Sequence, residues 1–201
     1  MKVLLSAFVF INLVSFTGIA DAQSRKSIGL HYSFPASSTI ISFLDREGTG
    51  GYEGRYMYNF GASYIHGMNR VLDLETGLDY SSHSLLLHPA FTGEPGQKPF
   101  EKRVKLLTVP LLLRVNLGKY VYLNGGPVLD IDISKPRQTS SQTGIGAALG
   151  AGFRYAFKSG VSVFVNPNAR FHGTYVFFSG PADYQVVEGG VKLGVAYALA
   201  P

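Results

Sequence analysis

Five histidines, His31, His66, His83, His88 and His172, are the side chains of this sequence best suited to ligate a metal or move a proton near neutral pH. Two imidazoles reach one ion most readily from i, i+4 on a helix or from H-x-H on a strand, and no pair has either spacing. His83 and His88 fall within one predicted connection, where solvated loop histidines are expected. No metal site is assigned. A nucleophilic triad can be written from Ser81, His83 and Asp79, but triads are defined by geometry rather than by closeness in sequence, and other serines would serve as well. There is no phosphate-binding G-x-x-x-x-G-K, no G-x-S-x-G and no dinucleotide fingerprint, so neither a catalytic residue nor a cofactor is expected. The absence of cysteine removes thiolate nucleophiles, disulfides and Cys-zinc sites.

The charges are more informative, because of where they fall. Glu53, Arg55, Asp73, Glu75, Asp79, Arg114, Asp130, Asp132, Arg154, Arg170, Glu188 and Lys192 each lie on the parity opposite an apolar series. If those series face outward, the charges meet in an interior. Acids and bases meeting there either line a narrow ion path or neutralise one another as a hydrogen-bonded plug. Their near balance favours the plug, since buried charges require partners.

The elements that hold these residues have the strand period of two. Ile28, Leu30, Tyr32 and Phe34 alternate with Gly29, His31 and Ser33. Further alternating runs centre on Tyr56–Tyr64, Leu72–Tyr80, Leu107–Val115, Val121–Ile133, Ile145–Phe157, Val161–Val165 and Val187–Leu199. Phe164 interrupts its run. That makes eight predicted strands. Their connections alternate in length: short links at 67–70, 116–119 and 158–160, and longer ones at 36–51, 83–102, 134–143 and 179–185. Such alternation is the signature of an up-and-down transmembrane barrel with short turns at one end and long loops at the other. Pro110 and Pro127 lack an N–H donor and predict local gaps in the ladder.

Composition agrees. Charged residues form only 15% of the chain, too few for a disordered or coiled-coil protein. Mean hydropathy is only +0.13, too polar for a bundle of membrane helices. Residues 1–22 read as a secretory signal peptide, with Lys2 before an apolar run and Ala20-Asp21-Ala22 at the cleavage position. Residues 23–201 then form one barrel domain. The net charge of +5 comes from scattered basic residues, so nucleic acid is not an expected partner. A soluble lipocalin would share the strand count but point its apolar face inward. Small residues on the polar parity (Gly146, Ala148, Gly150, Gly152) and aromatic residues gathered near strand ends favour the membrane orientation.

Val109-Pro110-Leu111-Leu112-Leu113-Arg114, Leu123-Asn124-Gly125-Gly126-Pro127, Gly150-Ala151-Gly152-Phe153-Arg154-Tyr155 and Leu193-Gly194-Val195-Ala196-Tyr197 resemble the PorT-like outer-membrane β-barrel domain family of Bacteroidota. The resemblance spans the expected mature chain and implies an all-β, eight-stranded antiparallel barrel in the outer membrane with no known catalytic residues. The ending Ala200-Pro201 departs from the aromatic terminus common in such barrels. Expected partners are outer-membrane lipid and an envelope or secretion-system protein. The leading functional expectation is a non-catalytic scaffold or docking component. A transport or secretion accessory and a lipid-modifying enzyme remain as alternatives. The apolar segments 39–44, 85–91 and 175–178 offer either strand extensions or a docking surface. The chain without residues 1–22 should fold only in detergent or lipid, with a β-type circular dichroism spectrum. A helical spectrum, or a stable monomer in plain buffer, would remove the membrane barrel.

Overall fold

The computed structural model describes residues 25–42, 52–87, 100–134, 142–176 and 184–199. The predicted signal segment, His88, and residues 200–201 lie outside them. Eight strands follow in order: β1 (Lys26–Ser42), β2 (Tyr52–Gly67), β3 (Leu72–Leu87), β4 (Phe100–Leu117), β5 (Val121–Asp132), β6 (Gly144–Ala156), β7 (Val161–Val176) and β8 (Tyr184–Leu199). Each pairs antiparallel with its neighbours, and β1 pairs with β8 from Lys26↔Leu199 to Ser42↔Tyr184 to close the barrel. The β1 start and the β8 end therefore sit together at the short-turn end.

Three short turns join the strands at that end. In two of them a glycine takes a left-handed conformation, Gly118 at φ 82° and Gly160 at φ 84°. In the third, Asn69 Oδ1 accepts from the backbone N–H groups of Val71 and Leu72 at 2.8 and 2.7 Å.

At the other end the strands run further than the sequence suggests. Residues 36–42, 83–87 and 100–102, expected in links, belong to β1, β3 and β4. The β-branched run Thr39-Ile40-Ile41 pairs with Val187, Val186 and Gln185, and Leu85–Leu87 pair with Lys102–Phe100. A partner strand was available for each, and that decided their conformation. The eighteen residues of β4 measure roughly 60 Å along the strand at about 3.4 Å each. Tilted by about 40°, they stand some 45 Å tall, well beyond an apolar band of about 25 Å.

The prolines act as predicted in β4 and β5. Pairing of these strands lapses between Pro110↔Val128 and Leu113↔Gly125, flanking the positions of Pro110 and Pro127. Pro167 does the same to the β6–β7 ladder, which lapses between Gly150↔Asn168 and Phe153↔Val165.

The faces divide as the alternation requires. Leu30, Phe60, Leu111, Leu149, Phe153, Val195 and Tyr197 are exposed on the outside, whereas the described inward positions are mostly polar and buried. Among the buried apolar residues, Leu112, Val128 and Ala148 form a small cluster. Outward rings gather near the short turns, where Tyr120 stacks on Phe153 and Tyr155 at 5.7 and 6.2 Å. A second group, Tyr32–Phe34 and Tyr58–Tyr80–Phe60, lies nearer the long connections. Phe164, which breaks the alternation of β7, points inward because Gly194 directly across on β8 leaves room for its ring. Tyr122 lies across from Gly152 in the same way, and a Cβ at either glycine would overlap the ring.

β8 gives the sharpest test of orientation. Leu193 is 42% exposed, and Lys192 beside it 4%. Leu193→Arg should destabilise the barrel by about 2–4 kcal/mol, the cost of a cation at the bilayer midplane. Gly194→Leu should destabilise by about 1–3 kcal/mol through overpacking against Phe164. Spin labels in bilayers should show higher oxygen accessibility at 193 than at 192. The reverse order would invert the assignment of faces.

Candidate functional site

The inward charges form four successive levels across the lumen. Nearest the short turns, Asn116 Nδ2 donates to Asp73 Oδ2 at 2.8 Å. Arg154 Nη1 lies 4.0 Å from that same carboxylate oxygen, and its Nη2 donates to Asn116 Oδ1 at 3.4 Å. Arg154 keeps partial access to solvent here.

The next level is sealed. Arg114 Nη2 donates to Glu75 Oε2 at 2.7 Å, and Asn124 Nδ2 donates to the same oxygen at 3.3 Å. Asn166 Nδ2 passes the chain on to Asn124 Oδ1 at 3.1 Å. The Arg114 guanidinium also covers the Tyr122 ring, 4.1 Å from its centroid, which balances the cation with a π face as well as a carboxylate. Gly150 faces both asparagine oxygens, and a Cβ there would come within 2.6 and 2.7 Å of them. The inward glycines of β6 are thus a packing requirement of the polar network.

At the third level Asp79 is held from both sides, by His31 Nε2 at 2.9 Å on Oδ1 and by Arg170 Nη2 on Oδ2. Lys192 is buried in the lumen as well. Gly61 leaves the space that Asp79 and His31 occupy. The fourth level, towards the long connections, contains Asp130, Glu188, His83 and His172, with Thr108 Oγ1 donating to Asp130 Oδ1 at 2.7 Å.

One described residue expected in this network behaves differently. Asp132 stands at the rim, where its carboxylate accepts from the backbone N–H groups of Ser134 and Gln142 at 2.9 and 3.2 Å, so it shapes the β5–β6 connection. Arg55 belongs to β2, but its side chain lies outside the described residues, as does that of Glu53.

His83 corrects the sequence reading outright. Expected in a solvated loop, it is instead in β3 and fully buried, because β3 continues to Leu87. His83 Nε2 does lie 3.2 Å from Ser81 Oγ. Asp79, however, is engaged by His31 and Arg170, so these three residues do not assemble as a triad. Asn124, Asn166 and Tyr122 were not singled out from sequence, and His31 and His172 were weighed only as metal ligands. Inward parity was the available signal for all five.

Buried ion pairs of this kind destabilise severely when halved, since the remaining charge has no solvent to relax into. Arg114→Met should cost about 3–5 kcal/mol, and the double change Arg114→Met with Glu75→Leu should recover most of that loss. Urea unfolding in detergent, followed by circular dichroism, reads both. A single variant as stable as the parent would show that the pair is hydrated.

The family model described as "Outer membrane protein beta-barrel domain" matches residues 4–198. Among solved structures, the fold is similar to the solid-state NMR structure of the outer membrane protein AlkL in DMPC bilayers, with TM-score 0.57 and 10% identity over 92% of this chain and 94% of that one. It is also similar to the crystal structure of the outer membrane protein OprG from Pseudomonas aeruginosa, with TM-score 0.50 and 15% identity over 89% of this chain and 97% of that one. At such identities the likeness establishes shared architecture alone. No curated protein matches the chain. An inverted barrel with apolar girdled walls and a charged interior, matched along nearly its whole length, belongs to the outer membrane protein beta-barrel domain family and resides in the bacterial outer membrane.

Proposed function

We propose that the protein is a non-enzymatic envelope component, a scaffold or docking element whose lumen is plugged. The filled interior carries this reading. At successive heights Arg114–Glu75, Asp79–Arg170 and the Asp130–His172 level fill the lumen with side chains almost wholly withdrawn from solvent. An eight-stranded barrel is only just wide enough to be filled by its own side chains. An ion crossing it would have to break these pairs in turn. Partners on this reading are lipid around the walls and an envelope protein at the projecting strand ends, with no nucleic acid.

The PorT-like segments Val109–Arg114 and Leu123–Pro127 support a second reading, an accessory subunit of a transport or protein-secretion system. Here the barrel would anchor the machinery in the membrane. Ser81 beside His83 supports a lipid-modifying enzyme less well, because both are sealed inside and lack a third member of the triad.

In planar bilayers the purified barrel should show no unitary conductance steps. Steady channel openings would refute the plug. Mild crosslinking in native membranes should recover a defined protein partner. Recovery of secretion components would favour the accessory reading, and acyl-chain release from labelled lipid would establish an enzyme.

A further inference from the structure

The fourth level of the lumen contains a cluster that the plug alone does not explain. His83 of β3, His172 of β7 and Glu188 of β8 come from separate strands and are all buried. His83 Nε2 and His172 Nε2 lie 2.7 and 3.0 Å from one atom, Glu188 Oε1. One donor atom from each of the three side chains falls within 4.8 Å of the other two. Behind them, His172 Nδ1 lies 3.0 Å from Asp130 Oδ1.

These contacts are short but badly aligned for hydrogen bonding. Both ring nitrogens of His172, Glu188 Oε1 and Asp130 Oδ2 are buried with no hydrogen bond satisfying them, and His83 Nδ1 is in the same position. So many orphaned polar atoms in one place is rare in a folded interior. A cation between the nitrogens and the carboxylate would satisfy the atoms that converge.

The backbone is shaped for this convergence. Pairing of β6 with β7 steps from Ala147↔Phe171 to Ile145↔Tyr175, so four residues of β7 span two of β6. Gly173, inside this bulge, has φ 59°. His172 keeps the inward parity of Arg170, and the bulge that follows it buries Gly173 as well; bulges are frequent beside functional sites. The electrostatics point the same way. Among the described residues, the ion-pair contacts of Asp130 and Glu188 are to histidines, while Arg170, directly across from Glu188, contacts Asp79.

We propose that His83 Nε2, His172 Nε2 and the Glu188 carboxylate bind a divalent transition-metal ion of the zinc class, with Asp130 orienting His172 through Nδ1. Two imidazoles and one carboxylate suit zinc and its neighbours, whereas calcium and magnesium favour all-oxygen sets. A carboxylate behind the second nitrogen of a ligating histidine is the usual outer partner in such sites. Zinc bonds of about 2.0–2.1 Å place tetrahedral donors about 3.3 Å apart, so the two nitrogens would move away from Glu188 Oε1 by about 0.3–0.6 Å. The ion would tie β3, β7 and β8 together just below the long connections.

The test uses the untagged chain lacking residues 1–22, refolded in detergent with zinc and then washed with chelator. Elemental analysis should find about one zinc per barrel, and X-ray absorption should show two imidazoles around it. His83→Gln and Glu188→Gln should lose the ion, and Asp130→Asn should weaken binding by about 10–100-fold. Heat-modifiable gel migration reports whether each variant has folded. If the ligand variants do not fold, the parent's stoichiometry and imidazole count still decide. A parent barrel holding no zinc after the wash overturns the site, and so does full retention by folded His83→Gln/His172→Gln. In either case the cluster is a set of histidine–carboxylate contacts that belongs to the plug.

Discussion

Everything in this molecule follows from the inability of hydrocarbon to hydrogen-bond a peptide group. A sheet in a membrane must leave no edge, so its first and last strands must find each other. The β1–β8 seam meets that demand with pairing from Lys26 to Ser42, interrupted only by the irregularity at Pro35–Ser37. Closure makes the outer wall a solvent-matching surface and turns the inside into the only place where charge can go. The usual relation of core to surface is therefore inverted. Among the described residues the buried apolar side chains are outnumbered by buried polar ones, and the polar interior provides the internal order.

That interior must solve its electrostatics locally. Most of its charges are withdrawn from bulk water, and while Arg114–Glu75 and His172–Glu188 join adjacent strands, other pairs link strands that are not neighbours in the sheet. Asp79 of β3 meets Arg170 of β7, and Glu188 of β8 meets His83 of β3. Such contacts cross the barrel rather than run along its wall. They hold the cross-section in shape where backbone ladders alone would let it flatten. The inward glycines at 61 and 150 serve the same network, since Asp79 and Asn124, directly across the ladder from them, need a position without a Cβ beside their polar side chains.

The architecture was legible because alternation survives any detail of packing. Which residues face lipid, the number of strands and the ends carrying the short turns all follow from period two and from Gly118, Gly160 and Asn69. The strand limits at the long-loop end were not legible. Thr39–Ser42 and Leu85–Leu87 are extended because specific partners lie beside them, and local composition does not encode a partner. The individual contacts of the lumen were hidden for a related reason. Parity says that Asp79 faces inward but not that it meets His31 and Arg170, which depends on how far each strand is staggered. His172 shares the inward parity of Asn166 and Arg170, but the alternating run read from sequence stops at Val165, and a bulge around a left-handed glycine follows directly after it.

The paired glycines and rings have a further consequence for the size of the barrel. Strand number and shear together determine the radius and tilt of any closed sheet. Tyr122 fits only against Gly152 and Phe164 only against Gly194, each directly across a ladder. Sliding β6 along β5 by two residues would bring Tyr122 against Arg154 or Gly150, whose space is taken by the asparagines. The two rings thus act as tumblers that admit one shear, and the bore of the barrel is gauged by two glycines.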